Sequence, residues 1–99
     1  MNIAPNQRAL ISLDSTPSLS RHVRIQFDPI RQAYAVLSPE RVFWPNEVSL
    51  AILNRCDGRS PVSAIISSLA TEYDAPEGEM TGDVTAFLQE WADKLLVRP

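Results

Sequence analysis

Residues 22–45, HVRIQFDPIRQAYAVLSPERVFWP, set the fold class of this chain. From His22 to Asp28, Val23, Ile25 and Phe27 alternate with Arg24, Gln26 and Asp28, which is the period of a half-buried strand. Asp28-Pro29 then marks a turn. A second β-like run, Ala33 to Leu37, ends at Ser38-Pro39, and a third, Arg41-Val42-Phe43-Trp44, is closed by Pro45. Three short runs in succession predict an antiparallel meander. Proline brings no N–H to a ladder, so Pro45 beside so brief a run marks the third strand as the candidate open edge.

Beyond Pro45 the apolar period lengthens to that of helices. Asn46 is placed as N-cap, with Glu47 in the first turn and Leu50 and Leu53 along one face, and Asp57-Gly58 is expected to stop this helix. Ser60 is expected to cap a second helix with Pro61 at its first position, where Val62, Ile65, Ile66 and Leu69 fall at i, i+3, i+4 and i+7. A third helix begins near Asp74-Ala75-Pro76 and spaces Met80, Val84, Phe87, Leu88, Trp91 and Leu95 helically, weakened by Gly78 and Gly82. The expected fold class is α+β: a three-stranded antiparallel β-meander followed by three α-helices, in winged-helix-like outline. Residues 1–20, with Pro5, Pro17 and several serines, read as a flexible N-terminal arm ahead of a domain spanning 21–99. The apolar cluster Leu10-Ile11-Ser12-Leu13 reads as a local patch of that arm, with docking on the domain or on a partner as the alternative.

Ninety-nine residues, 44% of them hydrophobic, suffice for one domain with one modest core. Cys56 is the single cysteine, which excludes an intrachain disulfide and the usual thiolate zinc spacings and suits a cytoplasmic protein. No apolar stretch approaches the roughly 20 residues that span a bilayer, and the N-terminus lacks a signal-peptide pattern, so no membrane association is expected.

The net charge of −3 is unevenly spread: residues 1–45 hold five Arg against three acids, and residues 46–99 hold four basic residues against nine acids. With one lysine in the chain and five acids against one base in residues 76–94, a nucleic-acid partner is not expected, even though winged helices often bind DNA through their last helix. Catalysis finds no constellation either. The only histidine, His22, opens a strand while Cys56 lies at a helix end, and the acids Glu77, Glu79, Asp83, Glu90 and Asp93 read as the solvated outer face of the last helix. The three glycines are isolated, so no phosphate cradle forms. No catalytic residue, metal site or cofactor is expected.

A peptide has a physical entry point, because an unpaired strand edge offers free N–H and C=O groups for an extended chain to complete. Phe43, Trp44, Phe87 and Trp91 could line a groove beside that edge, although Phe87 and Trp91 share a stripe with Met80 and Leu88, and such a helical stripe is more often simple core. Trp44 is expected to be the more exposed tryptophan. Whether Val42 or Phe43 turns its N–H toward a peptide is open at this level, since successive residues point to alternate sides.

Several residues together carry a family resemblance: Arg24 with Asp28; Leu37-Ser38-Pro39-Glu40-Arg41-Val42; Ile52-Leu53 with Cys56-Asp57-Gly58; Ile65, Leu69 and Tyr73; and Asp83-Val84 with Phe87-Leu88. Over about residues 17–96 the chain resembles the PqqD family. The resemblance implies a winged-helix-like peptide-recognition element that binds the precursor peptide PqqA. It further implies presentation of that peptide to the radical S-adenosylmethionine enzyme PqqE, which crosslinks a Glu and a Tyr in pyrroloquinoline quinone biosynthesis. It places the peptide beside Arg41, Val42, Phe43 and Trp44 and against the helix carrying Asp83, Phe87 and Trp91. One departure stands out: the family often has a glycine after the last helix that starts a short terminal strand, whereas here Asp93-Lys94 runs directly into Leu95-Leu96-Val97. Such a strand is left open. The alternative function is a small quinone-binding or quinone-maturation enzyme, in which Arg24, Arg31 and Arg41 would pair with a tricarboxylated ligand. An uncovered edge also permits a second copy to pair there, so the expected state is a monomer or an edge-paired dimer.

Overall fold

The computed structural model describes residues 8–99. Its elements run β1 (Ser18–Leu19), β2 (Arg24–Asp28), β3 (Ala33–Leu37), β4 (Val42–Phe43), α1 (Glu47–Asn54), α2 (Val62–Glu72), α3 (Glu77–Asp93) and β5 (Val97–Arg98). Strands β2, β3 and β4 form an antiparallel meander with β3 in the centre, and three helices follow it, as the alternation and the change of period predict. The β2–β3 turn is held by Asp28, whose Oδ1 accepts from the N–H groups of Ile30 (2.9 Å) and Arg31 (3.3 Å). At the β3–β4 turn the Ser38 hydroxyl donates to the Arg41 carbonyl (3.1 Å), and the Arg41 N–H donates back to it (3.2 Å).

The core lies between the sheet and the helices. Val36 from β3, Leu53 from α1, Val62, Ile65 and Leu69 from α2, and Val84 and Leu88 from α3 are its fully buried side chains, and Pro17 joins them. The helical positions are those the spacing selects, except that Leu95, expected on the stripe of α3, lies beyond the helix end and is exposed, because the chain turns there toward β5. Asn46 caps α1 as expected, with Oδ1 accepting from the Ser49 N–H at 2.8 Å. This helix ends at Asn54, ahead of Asp57-Gly58. Gly58, at φ +77°, serves the turn into α2 instead, and its N–H donates to the Pro17 carbonyl at 2.9 Å.

Two expectations require correction. Ser60 does not cap α2; the N-cap is Pro61, which brings no side-chain acceptor, and the Ser60 hydroxyl donates to Asp57 Oδ2 at 3.0 Å. The orphan N–H groups of Val62 and Ser63 are satisfied by the carbonyls of Ser15 (2.9 Å) and Leu13 (3.1 Å). That arrangement explains the second correction, because residues 8–20 are not a free arm. The Ile11 N–H donates to Gln89 on α3 (2.9 Å) and the Ile11 side chain packs on the core, so docking is the outcome for this cluster. Strand β1 pairs antiparallel with β5, Leu19 opposite Val97. A short C-terminal strand therefore forms, in a second sheet that a two-residue run could not announce. Residues 1–7 of the expected arm lie outside the described residues.

Leu95 lies just past the end of α3, in the run Leu95-Leu96-Val97 where the sequence left a terminal strand open. It holds φ +63°, its N–H donates to the Ala92 carbonyl (2.9 Å), and the next N–H, of Leu96, reaches back to Trp91 (3.0 Å). This pair of bonds closes α3 with a left-handed residue and turns the chain into β5. Among the described residues, no helix is long and apolar enough to cross a membrane.

Candidate functional site

Strand β4 is one of the two edges of the meander, β2 being the other, and it is the edge beside α3; its register decides which backbone groups face outward. Val36 lies opposite Phe43 and Leu37 opposite Val42. The next pair, Ser38 and Arg41, is hydrogen-bonded, since the Ser38 N–H donates to the Arg41 carbonyl at 2.9 Å. In an antiparallel ladder bonded and non-bonded pairs alternate. Phe43 therefore turns its N–H and C=O toward β3, while Val42 and Trp44 turn theirs to the open edge. The choice left open by the sequence falls to Val42.

On the core side of this edge, Phe43 meets α3 through its ring. Its centroid lies 5.2 Å from that of Trp91, which in turn stacks on Phe87 at 5.3 Å. The three rings bridge β4 and α3 and floor a hollow of about 350 Å³ whose walls include Trp44, Pro45, Ser49, Glu90 and Lys94. Trp91 is 5% exposed and belongs to the core, whereas Trp44 is 44% exposed, the order expected of the two. The Arg31 guanidinium sits 4.7 Å from the Trp44 ring centroid, which orients the indole at the groove mouth. Lys94 is held above Phe43 at 5.8 Å and pairs with Glu90 at 3.1 Å.

The residues expected at a peptide site divide accordingly. Phe43, Trp44, Phe87 and Trp91 come together in one hollow. The side chain of Val42 lines the opposite sheet face with Leu37 and Trp44, so only its backbone is available to the groove edge. Arg41 lines a second hollow of about 490 Å³, with His22, Pro39 and Leu96, that meets the first at Phe43 and Lys94. Asp83 is exposed one helical turn before Phe87 and lines neither hollow. Glu90, read from the sequence as part of a solvated outer face, lines the groove instead. Lys94 and Glu90 were legible in principle, because they continue the stripe of Phe87 at i+3 and i+7.

The quinone reading needs Arg24, Arg31 and Arg41 to converge. Arg41 and Arg24 line adjoining hollows that meet at His22, but Arg31 stays apart from them against Trp44, so the three do not converge. Cys56 is buried with its thiol donating to the Ile52 carbonyl at 3.3 Å. Burial first, and then the negative charge of Asp57, push its pKa up to about 12, far from the thiolate a nucleophile needs.

Residues 33–97 match the family model described as coenzyme PQQ synthesis protein D (PqqD). A PqqA binding protein of Rhodopseudomonas palustris (strain BisB5) is 48% identical over 84 residues, which cover 85% of this chain and 82% of that protein. A PqqA binding protein of Xanthomonas campestris pv. campestris (strain B100) is 38% identical over 88 residues, covering 89% and 96%. Among solved structures, the chain is similar to the PqqD truncation of Methylobacterium extorquens PqqCD, a stand-alone recognition element for ribosomally synthesised and post-translationally modified peptides. That match has a TM-score of 0.77 at 33% identity and covers 92% of this chain and 97% of the other. The crystal structure of PqqD from Xanthomonas campestris matches with a TM-score of 0.57 at 36% identity, covering 90% and 99%.

Proposed function

The chain belongs to the PqqD family, and from that premise we propose that it is a non-catalytic, cytoplasmic carrier of the precursor peptide PqqA in pyrroloquinoline quinone biosynthesis. The peptide adds as a strand to the open edge of β4, bonding to the outward N–H and C=O groups of Val42 and Trp44. Its side chains enter the hollow floored by Phe43, Phe87 and Trp91. Backbone pairing supplies affinity with little dependence on sequence, and the aromatic hollow supplies selection. The carrier then presents the bound peptide to the radical S-adenosylmethionine enzyme PqqE, where the chemistry takes place. The peptide-binding unit we propose runs over residues 21–99 together with the segment from residue 8 that docks on α2 and α3.

The single observation that carries this reading is the coincidence of an unpaired edge, whose outward groups belong to Val42 and Trp44, with a hollow lined by aromatic rings on the facing helix. Calorimetric titration with synthetic PqqA, with pyrroloquinoline quinone and with duplex DNA tests it. PqqA is expected to bind at low micromolar concentration or tighter, and the other two not to bind. Binding of the quinone alone, with none of PqqA, would transfer the site to the alternative class.

A further inference from the structure

The hollow around Arg41 is part of a larger charged feature. It meets two smaller hollows at His22, and the three together are rimmed by the exposed side chains of Arg21, His22, Arg24, Arg41, Lys94 and Arg98. Five of the nine lysines and arginines of an acidic chain thus gather at one end. Among the described residues, Arg21, Arg24, Arg41 and Arg98 make no ion pair, nor does Arg59 elsewhere on the surface, whereas Arg8, Arg31, Arg55 and Lys94 all do. One carboxylate side chain, Glu40, lines these hollows. Like charges gathered on one surface repel, so a cluster with few acids among it is held at a cost that an anionic partner removes.

The position of the cluster identifies that partner. Arg41 immediately precedes β4, and the hollow it lines is continuous, through Phe43 and Lys94, with the groove beside the strand edge. A peptide paired with Val42 that extends past the N-terminal end of β4 must cross this rim. We propose that the cationic end receives an acidic segment of the same peptide, adjacent to the residues that pair with β4. This rests on the edge-pairing reading given above. Arginine guanidinium groups match carboxylates with two parallel hydrogen bonds, which fits Asp or Glu side chains. An extended polyanion such as nucleic acid fits less well, because the neighbouring face of α3 presents Glu90 and Asp93. Each pair is exposed and weak on its own, so the contribution is collective and sensitive to salt.

The test uses the full chain, synthetic PqqA, and PqqA with every Asp and Glu replaced by Asn and Gln. The variant is Arg21→Gln/Arg24→Gln/Arg41→Gln, with Val42→Pro as a separate arm. At about 50 mM salt the triple variant is expected to bind native PqqA about tenfold more weakly than the parent, and the gap is expected to shrink at about 500 mM. The neutralised peptide is expected to bind parent and triple variant alike. Equal binding of native PqqA by parent and triple variant at low salt overturns the inference, as does an equal loss with the neutralised peptide. If Val42→Pro loses binding while the triple variant does not, edge pairing stands and the acidic contact falls. If Val42→Pro binds like the parent, edge pairing itself fails.

Discussion

Single residues in this protein take their roles from partners distant in sequence. Ser60 is a good N-cap by local rules, yet it is recruited by Asp57, and α2 is capped by the backbone carbonyls of Ser15 and Leu13, far upstream in the chain. Nothing in a local window announces that exchange. Asp57, by contrast, behaves as its place in a tight turn suggests: its carboxylate accepts from the N–H of Ser60 (2.7 Å), the N–H of Arg59 (2.8 Å) and the Ser60 hydroxyl (3.0 Å). The Ser60 amide first, then that of Arg59 and then the hydroxyl, hold its pKa below the ordinary Asp value. A depressed folded-state pKa means the unfolded chain binds the proton more readily. The stabilisation is therefore present above the unfolded value of about 4 and is lost as pH falls through the folded one. Asp57→Asn keeps an acceptor for the two amides but does not titrate. Urea unfolding of parent and variant at pH 7 and pH 3 is expected to show the parent's advantage at neutral pH shrinking in acid; an advantage that grows on acidification contradicts this account.

At the scale of elements, β2, β3 and the three helices were legible because each carries several alternations or turns of a single period, and the two-residue β4 was legible from Pro39 and Pro45, which bracket its run. Strands β1 and β5 were not, since two residues show no period and their pairing joins the two ends of the chain. The terminal strand forms because Leu95, although not a glycine, adopts the left-handed conformation, at an expected cost of about 1–2 kcal/mol. The candidate edge was legible from Pro45, but its polarity required the register. That register makes a sharp distinction between neighbours. Val42→Pro removes an outward N–H and is tolerated at an edge, so the variant is expected to keep its circular dichroism and thermal midpoint while losing at least about tenfold in PqqA affinity. Phe43→Pro removes an inward ladder bond and the ring packed at a tilt against Trp91, and it is expected to cost about 3 kcal/mol or more of stability. Thermal melts and calorimetry of the two variants decide; the opposite pattern would mean that the outward groups belong to Phe43.

Across the whole molecule, the division of charge between the halves of the sequence becomes a division of surfaces. The basic first half supplies most of the cationic end beyond β4, and acidic residues of the second half occupy the exposed side of α3. The composition foretold the asymmetry, but not that it would converge on one end of a groove, because Arg21, Arg24, Arg41 and Arg98 are brought together by three separate pairings, β1 with β5, β2 with β3 and β3 with β4. The docked segment from residue 8 ties both sheets and α2 into the same body, leaving β4 as an unpaired edge beside the aromatic hollow. Residue-resolved amide hydrogen exchange, measured on the protein alone and saturated with PqqA, tests that arrangement most directly. The N–H groups of Val42 and Trp44 are expected to exchange rapidly in the free protein and to become protected by tenfold or more in the complex, with Phe43 protected in both. Unchanged exchange at Val42 and Trp44 under saturating peptide, with new protection elsewhere, would contradict the claim that the peptide extends the sheet at β4.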